Sequence, residues 1–124
     1  MGWEVYPECV YEVLMRFRNE WGDPPVFITE NGAAFDDAVE NGAVKDQYRI
    51  DYFRAYLEQA ARAMEDGAKL KGYFAWSLMD NFEWAFGFTK RFGLIHVDFE
   101  NLKRTPKSSA FFYREVIRNN GIVV

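Results

Sequence analysis

Apolar positions follow two rhythms along this chain. In "PECVYEVLMRFRNEWG" (7–22), Val10, Val13, Leu14, Phe17 and Trp21 recur at helical spacing. Pro7 sits near the start, where a missing N–H costs a helix nothing, and Gly22 with Pro24-Pro25 ends the pattern. "VFIT" (26–29) is apolar without alternation, which predicts a strand buried on both faces, as in a parallel sheet. Residues 31–45, rich in Gly, Asn, Asp and Ala, read as a long loop. A second helix fits about 46–66. Asp46 is positioned to cap it, Ile50, Phe53, Leu57, Ala60 and Met64 form its stripe, and Gly67 closes it in a left-handed conformation.

"GYFAW" (72–76) reads as a second buried strand, and a long aromatic loop runs from 77 to about 104. Within it, "GFTKRFGLIHV" has the look of a small hairpin. Thr105 as cap and Pro106 at the first helical position predict a third helix, "TPKSSAFFYREVIRNN", stopped by Gly121. The order is helix, strand, loop, helix, strand, loop, helix. Strands alternating with helices imply an α/β fold with a parallel sheet. Two such strands with open edges do not make a stable sheet alone, so the chain is expected to be part of something larger. A (β/α)8 barrel takes ~250 residues, and this chain has only two candidate strand–helix units.

Composition changes the picture in a few places. Aromatics make up 19%, with 12 Phe, 7 Tyr and 4 Trp, enough both to fill a core and to line a ligand site. A net charge of −4 argues against a nucleic-acid partner, which needs a basic face. One cysteine, Cys9, excludes an intramolecular disulfide and fits a reducing compartment. No run of ~18 apolar residues is present to span a membrane, and "MGWEVYPE" lacks a signal-peptide pattern. A cytoplasmic location is the resulting expectation. No His/Cys/Asp cluster has metal-ligand spacing, and no metal or cofactor is expected.

In a barrel the active site lies at the C-terminal ends of the strands. The first strand ends at Glu30 and the second at Trp76, and the following loop brings Asp80, Glu83, Trp84 and Phe92. Carboxylates accept hydrogen bonds from sugar hydroxyls, and indole faces pack on sugar C–H faces. Taken alone, Glu30 reads first as a structural carboxylate, ahead of a simple Asn31-Gly32 turn, and only second as a catalytic group. Asp80, Lys90 and Arg91 read as structural, and His96 as a packed hairpin histidine.

"ITENG", followed by "GYFAWSLMDNFEWAFGFTKRFGLIHVDF", resembles the C-terminal end of family 1 glycoside hydrolases, the β-glucosidase family. "GWEVYPECVYEVL" and "RTPKSSAFFYREVI" resemble the family's flanking helices. The resemblance implies a (β/α)8 TIM barrel, of which residues 1–124 are the C-terminal portion: the sixth helix and the last two strand–helix units. It implies that Glu30 is the nucleophile of a retaining β-glycosidase, Trp76 the platform beneath the sugar, and Glu83 a ligand for its hydroxyls. Trp84 would lie beside Glu83, and Phe92 near the exocyclic hydroxymethyl. Glu83 would repel a phosphate, so the expected substrates are unphosphorylated β-glucosides, related glycosides or oligosaccharides. The family's Thr-x-Asn-Glu-Pro motif, which supplies the acid/base, is absent from this sequence. The chain by itself is therefore expected to be inactive, with the N-terminal part of the same barrel as its partner. The competing reading is a non-catalytic carbohydrate-binding or assembly module built on a half-barrel.

Overall fold

The computed structural model describes residues 1–122. Its elements are α1 (Glu8–Glu20), β1 (Val26–Asn31), α2 (Gln47–Glu65), β2 (Leu70–Ala75), a 3-10 turn (Trp84–Phe86), β3 (Ile95–Val97), β4 (Arg104–Pro106) and α3 (Ser108–Asn119). β1 and β2 pair in parallel, with Phe27 opposite Gly72 and Ile28 opposite Tyr73, and α2 forms the crossover between them. The helix–strand alternation expected from the apolar rhythm is thus present.

The helices cover one face of this sheet. Leu14, Ala63 and Ala68 form a core with Val26, Ile28 and Leu70 against it. Tyr52, Phe53, Tyr56 and Leu94 form a second, packed by Tyr73, Ala75, Ala110 and Tyr113. Phe53 is wholly enclosed, a burial that contributes about 1.5–3 kcal/mol.

The opposite face is bare. Phe27 and Phe74 are each 56% exposed, so the strands are not buried on both faces within this chain. Among the described residues, their apolar side chains on that side have no helix or strand to meet. The outer edges of β1 and β2 are also unpaired among the described residues.

Both long helices bury part of the expected stripe and turn the rest of it outward. On α1 the core takes Val10, Tyr11, Leu14 and Met15, whereas Val13 and Trp21 are exposed. On α2 the buried positions are Arg49, Tyr52, Phe53, Tyr56, Ala60 and Ala63, and Met64 is exposed. The stripe's Phe53, Ala60 and Leu57 do face the core, but counting apolar residues left out its other half, an arginine and two tyrosines whose polar ends find partners inside.

Three further expectations change. Asp46 stands at the N-cap of α2 but makes no side-chain cap bond. Its carboxylate instead accepts from Arg49 and from the backbone N–H of Ser109. Thr105 and Pro106 do not start α3: they belong to β4, opposite His96 and Ile95. The hairpin is therefore β3–β4, not a fold within 87–97. Asp98 shapes its turn, accepting from the Glu100 N–H and from Asn101 Nδ2. At the end of α3 the left-handed residue is Asn120 (φ 48°) and not Gly121, a conformation asparagine tolerates. Gly67 does close α2 with φ +95°.

Loop 31–45 is tied down by single bridges from Phe35 to Arg91 and from Val44 to Lys107. His96 is buried within β3, as a packed histidine should be.

Candidate active site

Parallel pairing brings the C-terminal ends of β1 and β2 side by side. The Trp76 N–H donates to the Asn31 carbonyl at 2.7 Å, which sets Trp76 beside the strand end carrying Glu30. Gly32 makes this approach possible. A Cβ there would fall 1.8 Å from the Trp76 carbonyl oxygen. Gly32 is absent from the residues with positive φ, so Asn31-Gly32 is not a left-handed turn but a close strand approach. The turn reading suits Asn41-Gly42, where both residues have positive φ.

Glu30, Trp76, Glu83, Trp84 and Phe92 all line one open pocket of about 340 Å³, together with Trp3, Asn31 and Gly32. All five residues singled out in the sequence therefore meet. Trp84 is 83% exposed and holds φ +40°, rare for a bulky side chain. Such a backbone costs of order 1–3 kcal/mol and persists where the surroundings enforce it. Here Glu83 N–H donates to the Gly87 carbonyl, and Phe86 N–H to the Glu83 carbonyl. Phe92 is 3% exposed, its carbonyl accepting from the Ser77 N–H.

Trp3 escaped the sequence reading. It lies outside any periodic element, and its ring stands 6.2 Å from that of Phe92. The only signal was an aromatic residue just ahead of the helix at Pro7.

An ionic cluster anchors the loop that follows β2. Asp80 accepts hydrogen bonds from Lys107, Arg91 and the backbone N–H groups of Gly93 and Val97. Lys107 also reaches Asp37, and Arg49 bridges Asp37, Asp46 and the Arg91 carbonyl. Three carboxylates meet three cations, so the cluster is neutral. Burial alone would raise the Asp80 carboxyl, but Lys107 and Arg91 overcome it and hold it below the usual range. Asp80 and Arg91 are thus structural, as expected, yet they fix the loop bearing Glu83, Trp84 and Phe92. Lys90 lies apart, its ammonium 5.5 Å from the centre of the Phe86 ring. Among the described residues no group of His, Cys, Asp and Glu could hold a metal, and no helix is long and apolar enough to cross a membrane.

The model of glycosyl hydrolase family 1 matches residues 1–122. A 1,4-beta-D-glucan glucohydrolase of Thermotoga neapolitana is 56% identical over 98% of this chain and 28% of its own length. The family 1 β-glucosidase of Thermotoga maritima, solved in complex with isofagomine lactam, superposes with a TM-score of 0.96 at 52% identity, over 99% of this chain and 28% of that one. A 6-phospho-beta-galactosidase of Leptotrichia buccalis is 46% identical over 92% of this chain and 25% of its own length. The chain spans about a quarter of the length of these relatives, and its parallel pair corresponds to part of their barrel. This chain belongs to glycosyl hydrolase family 1, matching the C-terminal part of its (β/α)8 TIM barrel.

Proposed function

We propose that this chain is the C-terminal portion of a single catalytic barrel domain and supplies the nucleophile and part of the sugar subsite of a retaining β-glycosidase. The observation that carries the reading is the convergence of Glu30 with Trp76, Glu83, Trp84 and Phe92 on one pocket at the strand ends. In this mechanism a Glu30 oxygen attacks the anomeric carbon while the glycosidic C–O bond breaks. A second carboxyl group ~5–5.5 Å away protonates the leaving oxygen. That group then takes a proton from water, which attacks the same carbon and releases Glu30. Two inversions at one carbon give net retention.

The second carboxyl group would come from the rest of the barrel, as would the cover for Phe27 and Phe74 and the partners for the open strand edges. The bare apolar face supports that need. Trp76 and Trp84 offer ring faces to the sugar, and Glu83 accepts from its hydroxyls. A carboxylate there opposes a phosphate dianion, so the substrates are unphosphorylated β-glucosides or related glycosides. Because one relative is a 6-phospho-beta-galactosidase, the assay includes 6-phosphorylated substrates.

The test combines this chain with the N-terminal part of the barrel and adds a chromogenic β-glucoside. Hydrolysis is expected only from the combination. A 2-fluoro glycoside should leave a sugar on Glu30, read by mass spectrometry, and Glu30→Gln should abolish turnover while sparing sugar binding. A folded complex that binds sugar without hydrolysis would establish the non-catalytic module instead.

A further inference from the structure

Behind Glu30 the structure holds a polar relay with no part in the chemistry described so far. The Tyr73 hydroxyl, on β2, donates to Asn31 Oδ1. Asn31 Nδ2 donates to the Tyr52 hydroxyl of α2 at 3.2 Å, and that hydroxyl donates in turn to the Gly32 carbonyl at 3.2 Å. The Asn31 backbone carbonyl accepts from Trp76. The residue after Glu30 is thus held through both side-chain polar atoms and its carbonyl.

The anchors are themselves fixed. Tyr52 stacks on Tyr56 with ring centroids 4.3 Å apart, and Tyr113 donates to the Tyr73 carbonyl at 3.0 Å. Burial pushes both the Tyr52 and Tyr73 hydroxyls above the ordinary tyrosine range, which favours the neutral, donating form of each.

We propose that Tyr52 and Tyr73, acting through Asn31, are positioning residues that set the attack geometry of Glu30. This rests on the function proposed above. Glu30 itself is exposed at the pocket, whereas its neighbour is locked to two elements at once, the crossover helix and the adjacent strand. A nucleophile near attack distance loses rate steeply with displacement, about 100-fold for 1 Å. Replacing either tyrosine by phenylalanine keeps the ring and removes only the hydroxyl.

The experiment uses the complete barrel enzyme and three variants: Tyr52→Phe, Tyr73→Phe and, as a control, Tyr11→Phe, whose hydroxyl donates to Asp66 and touches no member of the relay. With a chromogenic β-glucoside, Tyr52→Phe and Tyr73→Phe should each lower kcat about 10-fold or more, with KM within about two-fold. The rate of Glu30 labelling by a 2-fluoro glycoside should fall in parallel, and Tyr11→Phe should match the unmodified enzyme. If the folded variants lose only thermal stability, or raise KM at unchanged kcat, the positioning role is overturned. If the unmodified enzyme is not labelled at Glu30, the proposed function fails and takes this inference with it.

Discussion

Lys107 donates to Asp80 at 2.8 Å, and both side chains are wholly buried. The lysine stands just before α3, and the aspartate begins the loop that carries Glu83 and Trp84. This pair therefore couples the last helix to the pocket wall. Removing Lys107 leaves the buried cluster with three carboxylates against two cations, and an excess buried charge costs more than the intact pair contributes. Lys107→Met should destabilise the folded barrel by about 3–5 kcal/mol in urea unfolding. It should also weaken sugar binding more than Arg16→Ala, whose ion pair is exposed.

The same cluster sets an acid limit. Asp80 is held below its ordinary value of 3.8 despite burial, chiefly by Lys107 and then Arg91. A carboxylate depressed in the folded state contributes stability that is present above its unfolded value and lost as pH falls through its folded one. Unfolding free energy should therefore decline as pH is lowered below about 4. Asp80→Asn should flatten that decline while lowering stability at neutral pH.

Gly32→Ala tests the close approach of the strand ends. Its Cβ would fall 1.8 Å from the Trp76 carbonyl oxygen, so β1 and β2 must part beside Glu30. A displacement of about 1 Å should lower kcat/KM about 100-fold. Gly42→Ala serves as the control: it has left-handed strain but no atom within 4 Å of the new methyl, and should change stability rather than rate.

Glu83 is the proposed discriminator against phosphate. Like charges brought together cost several kcal/mol. Glu83→Ser should therefore weaken turnover of plain β-glucosides and raise relative turnover of their 6-phosphates by about 10-fold or more. An unchanged preference would remove Glu83 from substrate selection.

Much of this protein was legible in the chain itself. Apolar rhythm located the first two helices and the two parallel strands, because burying a stripe or a short apolar run is a local demand that sequence must meet; the third helix was located by its start and stop residues, with its start misplaced. Gly67 was legible as a helix stop because a left-handed closing residue is a local demand, whereas the five pocket residues were picked out by resemblance to family 1 motifs, Glu30 taken alone reading as structural. Other features depended on partners far along the chain. The α2 face includes Arg49, which no hydrophobic count admits, because Asp37 and Asp46 neutralise it only after folding. Thr105-Pro106 has the local signature of a helix start, but pairing with Ile95 and His96 draws it into a strand. Trp3 joins Phe92 across most of the sequence with no periodicity to announce it. The sequence by itself determined α1, α2 and the parallel pair β1–β2, whose apolar patterns are local. Only tertiary structure decided which polar groups are buried together, since a buried charge is tolerated where its counter-charge arrives, and that is set by packing, not by neighbours in the chain.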